Sequence, residues 1–194
     1  SIGLIIAGSN FHQQEVLENA RHFFRKPEYV NPRYAVNLAD AGLVGVISEI
    51  LNIRGPGITV GGGAASGGLA LHQAYQWVKS GLVTACVCVG GLSGFSALER
   101  QSFVNLGAMA EHSAKFEPHQ VCRPFDRRAK GFVYGEGSGC LVLENFDHAQ
   151  SRNVDALGEI RSASIGLSGS YSAEPSHEAE VRVMQQSLQH AQLS

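Results

Sequence analysis

Apolar positions along this chain fall into short unbroken runs, separated by stretches with a three- to four-residue rhythm. "IGLIIAG" (2–8) is continuous and ends in glycine, as expected of a buried parallel strand. Residues 13–25, "QQEVLENARHFFR", carry helical spacing, and Pro27 closes them off. "NLADAGLVGVISEIL" (37–51) again reads as helix, and "ITV" (58–60) as a short strand. Ser66 is expected to cap a helix over 67–80, with Gly81 as its stop. "LVTACVCVGG" (82–91) is the strongest strand signal. The pattern from about 92 to 130 is less regular, with one short helix near 96–101. "GFVYGEGSGCLVLEN" (131–145) predicts two strands around a glycine turn, 147–164 a helix–strand pair, and "EAEVRVMQQSLQHAQ" (178–192) a last helix. Strands alternating with helices predict an α/β layered fold on a mostly parallel sheet.

Composition narrows the function classes. Of 194 residues 44% are apolar and 16% charged, and the formal net charge is −2. No stripe of lysine or arginine offers a nucleic-acid surface. No apolar run approaches the roughly 20 residues that span a bilayer, and "SIGLIIAGSN" has no secretory-signal pattern. A cytoplasmic protein is expected, with Cys86, Cys88, Cys122 and Cys140 reduced and buried, because none belongs to a metal-type CxxC. The chain opens on a strand-like run without methionine, so a piece of a longer polypeptide is expected.

The 23 glycines cluster at 55–68, 90–94 and 131–139, which points to tight turns and close backbone approach. The first cluster, in "GPGITVGGGAASGGLALHQAYQWVKSG" (55–81), reads as strand, turn, helix. Gly62 and Gly67 have P-loop spacing, but Gly68 and Leu69 stand where lysine and a hydroxyl residue are needed. A dinucleotide fingerprint fails too, since its third glycine falls one position late and no acidic partner follows. A nucleophile corner fits better: a residue there sits at the positive helix end, beside backbone N–H groups that hold a developing oxyanion. The position for that side chain is Ala64, and Ser66 is the only hydroxyl nearby.

"TVGGGAASGGLALHQA" resembles the nucleophile turn of the β-ketoacyl synthases, which runs T-A-C-x-S-G. "CRPFDRRAKGFVYGEGSGCLVLE" (122–144) is similar to their R-P-F-D-x-x-x-x-G-F-V-x-G-E-G-x-G-x-L-V-L-E segment almost position for position. "VTACVCVGG" (83–91) and "SFVNLGAMA" (102–110) fall where that family has its next strand and loop. The resemblance implies a thiolase-like layered fold, helices around a mostly parallel or mixed sheet, with residues 1–194 as a partial ketosynthase-like domain lacking its first elements. The family's H-G-T motif, which carries a catalytic imidazole, has no counterpart here, and His72 is expected to be a packed or surface histidine.

Within the family, "DAGLVGVISEILNIRGPGITVGGGAASG" is similar to stand-alone synthase-like decarboxylases of polyketide β-branching cassettes, whose turn reads V-G-G-A-S-A-S-G. Ala64 departs from both branches. The resemblance implies decarboxylation of malonyl-carrier protein to acetyl-carrier protein, with the substrate on a phosphopantetheine arm and no other cofactor or metal. Two alternatives stand beside it: a non-catalytic partner subunit like a chain-length factor, and an enzyme whose nucleophile has been artificially exchanged for alanine. Gly63, Ala65 and Ser66 would form the oxyanion turn, and Phe132 and Glu136 would line or support the pocket. Arg127, Arg128 and Lys130 would meet the carrier protein, while Arg123 and Asp126 are expected to pair structurally. The resemblance also implies a homodimer, or a heterodimer with a synthase-like subunit, formed through the edge strand "GITV".

Overall fold

The computed structural model describes residues 1–91, 94–110, 118–172 and 174–193, with the side chains of 118 and 119 left aside. The chain forms two compact units: Ser1–Ser9, Ala41–Gly90 and Gly139–Ser194 make one, Asn10–Asp40 and Gly91–Ser138 the other.

The first unit is built on a four-stranded mixed sheet in the order β2-β1-β3-β4. Strands β1 (Ile2–Ala7), β2 (Gly57–Val60) and β3 (Ala85–Gly90) are parallel, with Ile5 opposite Ile58 on one side and Cys88 on the other. β4 (Gly139–Glu144) adds antiparallel to β3, Cys88 opposite Leu141. The unbroken apolar run of β1 has its reason here: Leu4, Ile5 and Ile6 are all fully buried, so both faces of the strand are covered. Helix α4 (Ser66–Lys79) lays Ala70 and Ala74 on the face formed by Ile5, Ala7, Cys86 and Cys88. Small residues on that stripe let helix and sheet approach closely. Truncating Ile5 there to alanine would cost about 2–5 kcal/mol. Helix α3 (Gly42–Leu51) contacts β1 and β2. Gly81, at φ +74°, ends α4 as expected, its N–H donating to the Val78 carbonyl.

Further along, helix α7 (Phe146–Ser151) is capped by Asn145, and helix α8 (His177–His190) by Ser176. The Glu144 carboxylate at the end of β4 is bonded to the His148 ring and, at 3.1 Å each, to Nε and one terminal nitrogen of Arg152; these partners hold its pKa below the ordinary range.

In the second unit, helix α1 (Gln13–Arg25) matches its predicted bounds, and Pro27 opens a short 3-10 turn. Helix α2 (Tyr34–Asn37), helix α5 (Ala97–Asn105) and helix α6 (Pro118–Val121) also belong to it. α5 starts at a capping box, Ser96 with Glu99, and runs four residues beyond the predicted 101.

Several expectations are corrected. The helix expected over 37–51 begins only at Gly42: α2 ends at Asn37, and residues 38–41 turn where the chain passes between units, with the Asp40 carboxylate bonded to the Asn10 and Phe11 N–H groups. Residues 131–138 hold no strand; Phe132 makes one isolated parallel bridge with Met109. No strand follows α7 among the described residues through 172. Cys86 and Cys88 are buried, but Cys122 and Cys140 are exposed, and all four are free thiols. Parts of the irregular region, 92–93 and 111–117, lie outside the described residues.

Candidate active site

The turn between β2 and α4 is a tight 3-10 loop, Gly63–Ala65, that runs directly into the helix. Gly63 sits at φ +55°, the left-handed region that a side chain resists, and a Cβ on Gly62 would lie 2.3 Å from Leu69 Cδ1, so the Leu69 side chain would have to turn aside. Ala64 is exposed at the tip, presenting a methyl group and no nucleophile.

Ser66 does something other than cap the helix. α4 begins at Ser66 itself, and Ala65 at the cap position makes no side-chain bond. The Ser66 hydroxyl is 6% exposed; it accepts from the Gly62 N–H at 3.0 Å and donates to the Gly63 carbonyl at 2.7 Å. The Ala65 N–H donates to Gly62 and the Ser66 N–H to Gly63, the 3-10 pattern that moves the helix start one residue earlier. The N–H groups of Ala65 and Ser66 are thus committed inside the turn, where they hold its geometry.

Below the turn helix, the Cys88 thiol donates to the Ala70 carbonyl at 3.7 Å. Its neighbour Cys86 and burial push the Cys88 thiol far above its ordinary range. A thiol kept protonated in this way is packing, not a substitute nucleophile.

The motif of 122–144 supplies the second set of predicted residues. Asp126 does not pair with Arg123. Arg128 takes the Asp126 carboxylate in a fork, Nε to Oδ1 at 3.1 Å and the terminal nitrogen to Oδ2 at 2.8 Å, with its backbone N–H on Oδ1 at 2.8 Å. These bonds hold the Asp126 carboxyl down at about 2. Arg123 instead donates through Nε to the Gln120 carbonyl. Arg128 therefore already has a partner within the segment, and Arg127 and Lys130 lie beside it, all three exposed.

Phe132 is 42% exposed, with its ring edge on Phe103 at 5.4 Å between centroids. Its backbone is fixed on both sides, N–H to Ala108 and carbonyl from the Ala110 N–H, each at 2.9 Å. Gly131 before it is at φ +100°, and a Cβ there would lie 2.3 Å from the Ala108 carbonyl oxygen. Glu136 accepts the Tyr134 hydroxyl at 2.6 Å, and the Tyr134 oxygen accepts the Phe95 N–H at 3.0 Å. The bond to Glu136 raises the Tyr134 pKa, since the phenolate would face a carboxylate. Tyr134 occupies an x position of the motif, so the motif itself carried no signal for it.

His72 lines a groove of about 560 Å³ with Tyr75 and Lys79 of the same helix and Ser164 and His190. The Ser164 hydroxyl stands 3.4 Å from His190 Nδ1, too long and too exposed for an activated nucleophile. No group of three metal-ligating side chains occurs among the described residues. No helix among them is long and apolar enough to cross a membrane.

Residues 1–149 match the family model described as Beta-ketoacyl synthase, N-terminal domain. The chain is 38% identical over 192 residues to the polyketide biosynthesis malonyl-ACP decarboxylase PksF of Bacillus subtilis, covering 99% of this chain and 46% of that protein. It is 33% identical over 116 residues to 3-oxoacyl-(acyl-carrier-protein) synthase 2 of Mycobacterium tuberculosis, covering 60% of this chain and 28% of that one. A β-ketoacyl synthase from Burkholderia phymatum superposes with a TM-score of 0.85 at 26% identity, over 99% of this chain and 47% of that one. A type II polyketide ketosynthase solved in complex with its acyl-carrier protein superposes at 0.83 and 20% identity over 100% of this chain and 49% of that one, a likeness of fold. The chain spans about half the length of these proteins or less.

Proposed function

The chain belongs to the β-ketoacyl synthase family and has its thiolase-like α/β fold, and on that premise we propose that it is part of a protein that decarboxylates malonyl-carrier protein without condensing it. The observation that carries this reading is the turn. Condensation requires a side chain that takes the acyl group in thioester or ester linkage. Ala64 cannot, and the Ser66 hydroxyl of the same turn is buried and bonded to Gly62 and Gly63. Decarboxylation needs no such linkage. The bond between the malonyl α-carbon and its carboxylate breaks, CO₂ leaves, and the electron pair moves to the thioester oxygen as an enolate. A proton from water then adds to the carbon and gives acetyl-carrier protein. What the protein must supply is hydrogen-bond donors at the thioester oxygen, where charge develops.

In this reading Gly63, Ala65 and Ser66 hold the corner that receives the thioester. Phe132 is a wall of the acyl pocket, and Glu136 supports it through Tyr134. The substrate arrives on the phosphopantetheine arm of a cytoplasmic carrier protein, whose acidic surface meets Arg127, Arg128 and Lys130. Residues 1–194 act as part of a longer ketosynthase-like domain that dimerises through β2, an edge of the sheet.

The test uses the full-length protein with malonyl-carrier protein, followed by intact mass. Conversion to acetyl-carrier protein is expected. Unchanged malonyl-carrier protein overturns the reading. Stable association with a cysteine-bearing synthase in that case would favour the non-catalytic partner.

A further inference from the structure

Four rings in the second unit form a continuous ladder. Tyr134 meets Phe95 at 5.1 Å between centroids, Phe95 stacks on Phe103 at 5.2 Å, and Phe103 meets the edge of Phe132 at 5.4 Å. One end is tied by polar bonds and the other is half-exposed. At the tied end the Tyr134 phenol donates to Glu136 and accepts the Phe95 N–H, so one oxygen fixes a carboxylate and the backbone of the next ring. Gln14 holds the Phe95 carbonyl at 3.4 Å, and the Arg100 guanidinium lies 5.7 Å from the Tyr134 ring centre. Gly94 packs against this knot so closely that a Cβ would lie 2.9 Å from Glu136 Oε1 and 3.3 Å from the Tyr134 oxygen. At the other end, the Phe132 backbone is pinned by Ala108 and Ala110. Among the described residues, Phe103 is the ring that Phe132 meets, edge to face.

We propose that Tyr134 is a positioning residue for acyl-group size: its hydroxyl anchors Phe95, Phe95 and Phe103 transmit that position, and Phe132 presents its ring accordingly to the acyl group. The inference rests on the reading of Phe132 as pocket wall. The physical basis is that edge-to-face and stacked rings have narrow preferred geometries, so moving one ring displaces its neighbour. The two hydrogen bonds at one end of the series set where it starts.

Tyr134→Phe keeps the ring and removes both hydrogen bonds. In full-length protein carrying 4-fluorophenylalanine at position 132, Tyr134→Phe is expected to shift or broaden the fluorine resonance. An unmoved resonance overturns the proposal whether or not the protein decarboxylates. The second measurement is the affinity for acetyl- against hexanoyl-carrier protein, which requires no turnover. Tyr134→Phe should change that ratio by about threefold or more, the order expected from one hydrogen bond. In the Phe132→Ala background the same substitution should leave the ratio unchanged. A ratio unmoved by Tyr134→Phe in the unsubstituted background, or moved equally in both backgrounds, overturns the proposal. Failure of malonyl-carrier protein to lose CO₂ instead removes the decarboxylase reading, and the affinity ratio still decides the role of Tyr134.

Discussion

The Ser66 hydroxyl donates to the Gly63 carbonyl at 2.7 Å, back across the turn from the first residue of α4. Together with the bond it accepts from the Gly62 N–H, this makes Ser66 the clasp of the corner. Ser66→Ala leaves a carbonyl and an N–H of the turn without that partner, and should destabilise the folded state by about 1–3 kcal/mol. Urea unfolding of the two proteins checks this. Because the hydroxyl is committed, Ser66 should also stay unmodified when acyl-carrier donors are supplied. An acylated Ser66 peptide in the digest would contradict its role as a clasp.

Ala64→Cys places a thiol on the exposed tip, at the N-terminal end of a helix of 14 residues. The positive end of the helix lowers the pKa of such a thiol and raises its thiolate fraction. The introduced thiol should therefore be alkylated by iodoacetamide faster than the exposed Cys122 and Cys140, which serve as internal references. Peptide mass mapping over a time course reads the three rates. A rate at position 64 no faster than the references would mean that the corner lacks this electrostatic environment.

Two glycines with positive φ should respond unequally to alanine. At Gly63 nothing lies within 4 Å of the added Cβ, so only the left-handed backbone is penalised, by about 1 kcal/mol. At Gly131 the strained φ of +100° coincides with a backbone oxygen 2.3 Å from the Cβ position. Gly131→Ala should cost about 3 kcal/mol or more, because the carbonyl it meets cannot rotate away as a side chain can. Equal losses in thermal unfolding would be inconsistent with the path of the chain at 131.

Much of the first unit is legible from periodicity alone. The β1 run and the stop at Gly81 follow from local rules that the surroundings reinforce, as do the α1 bounds in the second unit. The turn is legible as a place but not in its bonding. Residue type marks Ser66 as a cap, while the 3-10 start of the helix, which depends on Gly63 reaching a left-handed φ, turns it into a clasp. Residues 131–138 look like strand because Phe132, Val133 and Tyr134 favour extended backbone, yet a ladder needs a partner at matching register, and among the described residues Phe132 pairs only with Met109. Arg128 displaces Arg123 as the partner of Asp126 because the chain bends there. The Arg128 N–H already sits on the carboxylate, which leaves its guanidinium within reach of both oxygens. Tyr134 lies in a position the family motif leaves open, so only its geometry identifies it.

The Asp126–Arg128 fork has a pH signature. The folded-state pKa of Asp126, about 2, lies below its unfolded value, so its contribution is fully present above the unfolded value of about 4. That contribution is lost as the pH falls from there through about 2. The carboxyl carbon of Asp126, followed by NMR, should titrate near 2 in the unsubstituted protein and higher in Arg128→Ala, short of the ordinary value of about 4 because the backbone N–H of residue 128 stays on the carboxylate. A midpoint that Arg128→Ala does not move would dissociate the fork from the low pKa. Arg128 is exposed and the Asp126 side chain is 30% exposed, so added salt should weaken the effect.

The same fork separates the two arginines proposed to meet the carrier protein. Arg128→Glu removes a docking charge and also places a carboxylate against Asp126, so it changes the segment as well as the surface. Arg127→Glu changes the surface charge without touching the fork. If this segment receives an acidic carrier protein, Arg127→Glu should weaken binding by about three- to tenfold at low ionic strength, with a shallower salt dependence. The Asp126 titration should meanwhile stay near 2. Arg128→Glu should weaken binding and raise the Asp126 midpoint together. Affinity unchanged by Arg127→Glu at low salt would take this basic segment out of the interface. The charges on Arg127 and Lys130 would then belong to a solvated loop, and Arg128 would serve only to close it over Asp126.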